Sequence, residues 1–219
     1  MSEAKMDNAD NLKAMRHSLA HIMASSVQRL WPTAKFGVGP VVDNGFYYDI
    51  DLEDTKLSEE DFSRIEEEMR RIIEADEPFE KILFSIGDAN EWAKQNEQPY
   101  KLELLYDLQR SGTTDANDIN PDELGVESDK ESKVSEVSFY RNGDFSDLCR
   151  GPHVKSTGSV GKFKLLRISG AYWRGDEHKP QMQRIYGVAF STQAELDKYL
   201  DQLEEARKRA SSPIQRSTA

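Results

Sequence analysis

Cysteine occurs once in the 219 residues, as Cys149, so no internal disulfide framework can staple this chain. Histidine is nearly as scarce: His17, His21, His153 and His178 are all there is. No run of about 18 apolar residues exists, which leaves no helical membrane span. The opening MSEAKMDNADNLK lacks the apolar centre of a signal peptide and the Arg-rich, acid-poor character of a transit peptide. Net positive charge is missing too. The formal total of −11 argues against a general nucleic-acid binder, whose phosphate contacts need Lys and Arg. These absences lead to the expectation of a soluble, cytoplasmic protein without membrane contact.

What is present suffices for a folded core: 37% of residues are hydrophobic, Trp31, Trp92 and Trp173 among them, over a length that allows one large or two small domains. The charge is uneven. Residues 141–219 hold 14 Lys+Arg against 9 Asp+Glu, a net of +5, which leaves −16 on the first 140 residues. An acidic body with a basic C-terminal part can hold a polyanion locally. Lys162, Lys164, Arg167, Arg174 and Arg184 in that basic half are the candidates for such contacts; as solvated strand and loop charges they would need no function.

Periodicity predicts a helix over Ala14–Leu30, with Leu19, Ile22, Met23, Val27 and Leu30 as its apolar stripe and Trp31-Pro32 ending it. GVGPVVDNGFYYDIDL reads as two strands joined near Asp43-Asn44-Gly45, the Asn-Gly pair being the turn signal. Ser58 to Asp61 resembles a capping box opening a charged helix to about Ala75. A strand over Pro78–Ile86 and a short helix over Asp88–Asn96 follow, and Tyr100–Leu108 fits either type. Residues 110–136 are polar and acidic and read as a flexible loop without chemistry of its own. Short strands and turns return with VSFY, RNGDFSDLCRGPHV, KFKLLRISGAYW and MQRIYGVAF, and Thr192 to Glu195 caps a last helix to about Arg209. The absence of regular strand–helix alternation makes the fold α+β, with a largely antiparallel sheet packed with helices.

Two of the scarce histidines form His17-x-x-x-His21 on the first helix, and a third forms Cys149-x-x-x-His153 with the lone cysteine. An i, i+4 spacing sets two side chains about one turn apart on one helix face. At 100° per residue His17, His21, Ala24 and Gln28 share a face opposite the Leu19/Met23/Leu30 stripe, and the small Ala24 and Ser25 beside them leave room for a ligand. One such pair alone is most simply a solvated polar face. Two pairs that exhaust the cysteine and nearly exhaust the histidine point to chemistry instead. Imidazoles and a thiolate suit tetrahedral zinc, structural or with an open position for water. Neutral imidazoles can equally position and deprotonate a water without metal. The spacing leaves both open.

RHSLAHIMA, GVGPVVDNGFYYDIDL, DFSDLCRGPHV and GAYWRGD…QRIYG, in this order, resemble the second N-terminal domain of bacterial threonyl-tRNA synthetases, their editing domain. The alanyl-tRNA synthetases and free-standing alanyl-tRNA editing proteins are more distant relatives that share the HxxxH…CxxxH core. The similarity runs from about Ala14 to Arg209. It implies a flexible stretch at residues 1–13, an editing domain of the threonyl/alanyl second-additional-domain type at 14–210 with the acidic insertion at about 110–136, and a disordered tail at 211–219. It places His17, His21, Cys149 and His153 around the editing pocket. It matches Lys101 to the family's pocket lysine, Asp147 to an acidic pocket residue and Tyr48 to a tyrosine lining the site. From residue patterns alone these three would pass as a surface lysine, a turn residue and a sheet aromatic.

The resemblance implies an aminoacyl-tRNA deacylase that removes serine from tRNA(Thr), proofreading for threonyl-tRNA synthetase. His17 and His21 would hold the terminal adenosine or orient the water. Lys101 would sit near the developing oxyanion, and Cys149, His153 and Asp147 would shape the pocket. Zinc is typical of the alanyl relatives and not of the threonyl domains, so no obligatory metal is expected; were zinc held, its ligands would be His17, His21, Cys149 and His153. The length leaves no room for an ATP-binding catalytic domain or an anticodon-binding domain, so ligase activity is not expected. The partners expected are mischarged tRNA(Thr) and a separate threonyl-tRNA synthetase, whether the chain is a free-standing factor or a piece of a longer enzyme. The competing readings are a structural zinc module, an editor of the alanyl type, and a tRNA binder without hydrolysis.

Overall fold

The computed structural model describes residues 8–111 and 134–211. The fold is α+β, with antiparallel pairing throughout the described strands. A five-stranded sheet is formed by β1 (Lys35–Phe36), β2 (Val41–Val42), β3 (Gly45–Asp51), β7 (Lys162–Tyr172) and β8 (Gln181–Phe190), in the order β1-β3-β8-β7 with β2 also on β3. A three-stranded sheet runs β4-β5-β6, from Glu80–Ser85, Glu136–Asn142 and Phe145–Leu148. Helix α1 (Asn8–Leu30) packs on β3, β8 and β6 and on α2 (Phe62–Ala75). The small sheet is covered by α3 (Ile86–Gln95) and α4 (Pro99–Ser111), and α5 (Gln193–Ser211) lies against β7 and β8.

Helix α1 begins at Asn8, six residues before the expected Ala14. Its predicted stripe is buried, with Leu19, Ile22, Met23 and Val27 at 0% exposure. The opposite face is buried as well: Ala24 is at 0% and His21 and Ser25 at 2%. A helix enclosed on all sides is a core element, because the large sheet takes one flank and β6 the other. Ala24 and Ser25 therefore open no ligand space; the space lies one turn on, at Gln28.

The expected hairpin is present, with a refinement. Val42 pairs with Gly45, so the two turn residues are Asp43 and Asn44, and Asn44 takes the left-handed conformation at φ 61°. Gly45 serves another need. A Cβ there would lie 2.0 Å from the Gly187 carbonyl oxygen, so only glycine lets β3 and β8 approach this closely.

Ser58 and Asp61 form the predicted capping box, the Asp61 carboxylate accepting from the Ser58 N–H at 2.8 Å. The ambiguous Tyr100–Leu108 stretch is helix α4. Tyr100, Leu102 and Leu104 alternate like a strand, yet burial selects Tyr100, Leu104, Leu105 and Leu108, a helical spacing, against Val137, Phe139 and Leu148 of the small sheet. Of the acidic stretch, residues 112–133 lie outside the described residues, as do residues 1–7 and 212–219 of the expected flexible ends. No described helix is long and apolar enough to cross a membrane.

Candidate active site

Helix α1 and the segment after β6 bring the two sequence pairs together. The ligating atoms of His17, His21, Cys149 and His153 all lie within 4.8 Å of one another. Cys149 Sγ is 3.2 Å from His17 Nε2 and 3.3 Å from His153 Nε2, and it accepts from the Gly151 N–H at 3.2 Å. His178, the fourth histidine, is exposed and apart from this group.

Local hydrogen bonds fix which nitrogens face inward. Ser18 Oγ gives its one proton to the Ala14 carbonyl at 2.8 Å and accepts from the Val154 N–H at 3.0 Å. His153 Nδ1, 3.0 Å from that oxygen, must then be the donor, which leaves the Nε2 lone pair turned to Cys149. His17 hydrogen-bonds the Pro152 backbone, which has only a carbonyl to offer, and its Nε2 also faces the sulfur. His21 Nδ1 is buried without a partner. Three imidazoles, two of them with a lone pair fixed inward by these bonds, and one thiol form a donor set that can hold a metal ion.

Burial keeps these rings neutral. It pushes His17 down to about 4, and, with neighbouring imidazoles adding to it, pushes His21 and His153 well below the usual histidine range. Phe79 stacks on His153 at 4.7 Å, and Phe145 stands edge-on to His21 at 5.9 Å.

Beside this neutral group lies a charged one. Lys101 from α4 meets Asp147 from β6, Nζ to Oδ1 at 2.6 Å, with both side chains nearly inaccessible. Tyr48 from β3 donates its hydroxyl to Asp147 Oδ2, and Lys101 Nζ reaches the Tyr48 oxygen at 3.3 Å. Burial, then the Asp147 carboxylate, raises the Tyr48 hydroxyl well above its usual value, so it remains a donor. His21 Nε2 stands 3.9 Å from Asp147 Oδ2, joining the two groups. A cleft of about 380 Å³, counted to its open mouth, ends on Lys101 and Asp147 between Gln28, Phe36, Trp92 and Gln98.

All seven pocket residues named from sequence thus fall in one region, while the five basic residues do not behave alike. Strand register puts Lys162, Lys164, Arg167 and Arg184 on the face of the large sheet that carries Phe190, Val188 and Tyr186. Lys164 is paired with Glu66 at 2.9 Å and Arg184 with Asp49 at 2.6 Å, whereas Arg167 stacks on Tyr186 at 3.7 Å. Lys162 makes no ion pair with a described residue. Arg174 sits apart against α4, held by Glu103 at 3.3 Å and Asp107 at 2.5 Å. Sequence reasoning missed Ser18, Phe79 and Tyr140, which touch His153. Ser18, a polar residue inside an apolar helix next to His17, carried a signal; Phe79 and Tyr140 carried none.

Residues 137–186, which include Asp147, Cys149 and His153, match the model of the threonyl and alanyl tRNA synthetase second additional domain. Over that stretch the chain is similar to that domain. It is 47% identical over 200 residues to the threonine–tRNA ligase of Desulfosudis oleivorans, a match covering 91% of this chain and 27% of the ligase. Against the threonine–tRNA ligase of Rubrobacter xylanophilus the identity is 46% over 203 residues, 93% of this chain and 28% of the relative. That of Thermotoga neapolitana gives 46% over 196 residues, with 89% and 27% coverage. The chain therefore spans a little over a quarter of these relatives, and the stretch similar to the second additional domain contributes the carboxylate, thiol and imidazole that meet α1.

Proposed function

We propose that the chain is an aminoacyl-tRNA editing hydrolase that deacylates Ser-tRNA(Thr). The observation that carries this reading is the junction of Lys101–Asp147–Tyr48 with the neutral His17/His21/Cys149/His153 group, in a chain similar to threonine–tRNA ligases. Water adds to the ester carbonyl, the bond from that carbon to the ribose oxygen breaks, and free serine and the terminal hydroxyl are released. The step needs a base for the water and a cation or donors for the oxyanion.

A neutral His17 or His21 takes the water's proton, which an imidazolium could not do. The Lys101 ammonium faces the developing oxyanion. Asp147, its second oxygen held by Tyr48, grips the serine amine or hydroxyl. Cys149 and His153 shape the pocket wall. Serine differs from threonine by one methyl, worth roughly 1–3 kcal/mol, or about 10–200-fold, in a binding site. A tight second site that admits only the smaller residue supplies the missing discrimination.

The orphaned His21 Nδ1 and the inward lone pairs of His17 and His153 fit zinc, whose ligands would be His17, His21, Cys149 and His153. When bound, zinc supplies Lewis acidity and a more acidic water. The closeness to threonine–tRNA ligases keeps the metal non-obligatory in this reading. The same donor set favours one other reading, a structural zinc module without catalysis, which would unfold on chelation.

The test is deacylation of Ser-tRNA(Thr) beside Thr-tRNA(Thr) and Ser-tRNA(Ala), with and without chelator. Loss of serine from the first alone, at equal rate in chelator, is expected. Unfolding by chelator with no hydrolysis would establish the structural reading.

A further inference from the structure

The GAYWRGD block plays no part in that chemistry, yet it closes the β7–β8 connection onto α4 just beyond Lys101. Trp173 Nε1 donates to Glu103 Oε2 at 2.9 Å, and Lys179 Nζ donates to Glu103 Oε1 at 2.7 Å. Arg174 stands 3.3 Å from Glu103 and 2.5 Å from Asp107, one helical turn further on. One guanidinium thus ties two successive turns of α4 to the β7–β8 hairpin of the large sheet.

Arginine is a costly choice at this position. Its φ of 56° lies in the left-handed region that disfavours a side chain, and the next residue, Gly175 at φ 68°, shows glycine used where no side chain is needed. The Arg174 and Asp107 side chains are each 13% exposed, so both charges have given up most of their water. Arg174→Gly would remove both costs, so the side chain that stands there answers a need of placement. Leu104, Leu105 and Leu108 bury α4 against the small sheet, but apolar burial is non-directional and sets the helix's height and rotation only loosely. A planar fork bridging two turns fixes both. Lys101, near the start of the same helix, needs that precision, because its ammonium must meet Asp147 at 2.6 Å and Tyr48 at 3.3 Å.

We infer that Arg174 is a positioning residue: by clamping Glu103 and Asp107 it sets α4 so that Lys101 reaches Asp147 and Tyr48. What Lys101 then does rests on the hydrolase reading above; where it stands does not. Arg174, by charge alone a candidate for phosphate, is instead spent inside the fold.

The experiment is hydrolysis of Ser-tRNA(Thr) by the whole chain. In Arg174→Gly, which suits the backbone, kcat should fall about tenfold or more with KM changed less than about twofold, as a displaced catalytic group gives. In a Lys101→Met background the same substitution should change kcat less than about twofold, because nothing is left to position. Arg174→Lys, a point charge that cannot bridge both carboxylates, should lose less, with the same dependence on Lys101. It carries the test if Arg174→Gly does not fold. Unchanged kcat, or an equal loss with and without Lys101, would overturn the inference while leaving the hydrolase standing. So would a lower salt slope of tRNA binding at unchanged kcat, the mark of a phosphate contact. Should wild type cleave no ester, the function fails separately, and denaturant titration of the two single variants and the double variant decides. Coupling of about threefold or more in the unfolding constant supports the placement, and additive effects overturn it.

Discussion

The imidazole–thiol half of the site and the lysine–carboxylate–phenol half both lie largely out of water, yet they meet the cost of burial in opposite ways. The histidines become neutral, so the fold tolerates His21 Nδ1 with no partner at all. Lys101 and Asp147 form an ion pair, and every Asp147 oxygen is engaged. One half is therefore free to accept a ligand, while the other is a preset charge pattern that tolerates no missing member.

The sharpest way to break that contrast is Lys101→Met. It strands Asp147 in the interior, and we expect deacylation to fall about 10²–10³-fold, as when an oxyanion-stabilising group is lost. Denaturant titration should show about 3–5 kcal/mol of lost stability. Lys101→Met with Asp147→Leu should recover stability but not activity; retained deacylation in Lys101→Met would remove the role given to the lysine.

Next comes pH. The folded-state value of His17 is depressed to about 4 from 6.5, and those of His21 and His153 are depressed too. Between those values the unfolded chain binds protons the folded one refuses. Stability is then full above about pH 6.5 and falls as pH drops toward 4, by about 3 kcal/mol for His17 alone. Equal unfolding midpoints at pH 7 and pH 5 would contradict neutral burial.

Smaller effects sharpen the picture. Ser18→Ala removes the hydroxyl that orients His153 and should cost about tenfold in deacylation or in any zinc affinity, as lost supporting hydrogen bonds do. Lys162→Gln should reduce the salt slope of tRNA binding by about one, and Lys164→Gln, already tied to Glu66, by less. Equal slopes for both would place the tRNA elsewhere.

The histidine half was legible in the sequence because its spacing is local: His17/His21 and Cys149/His153 each lie one helical turn or tight loop apart. Lys101 and Tyr48 meet Asp147 across 46 and 99 residues, and no local pattern encodes such a meeting; only the resemblance selected them. Likewise the stripe of α1 was readable, but the burial of its other face was not, because that depends on where β6 lands. In α4, alternation and helical spacing were both present in Tyr100–Leu108, and packing against Phe139 chose between them.

The single proton of Ser18 has a wider reach than its size implies. It is spent on the carbonyl of Ala14, one turn earlier in α1. Were that turn to fray, the hydroxyl could rotate and donate to His153 instead, and the ring would exchange tautomers, turning a hydrogen toward Cys149 where a lone pair had been. The integrity of this turn of α1 and the polarity of the site's open edge are thus one variable. A binding event that loosens or tightens residues near Ala14 would be read out at the sulfur without moving a catalytic atom.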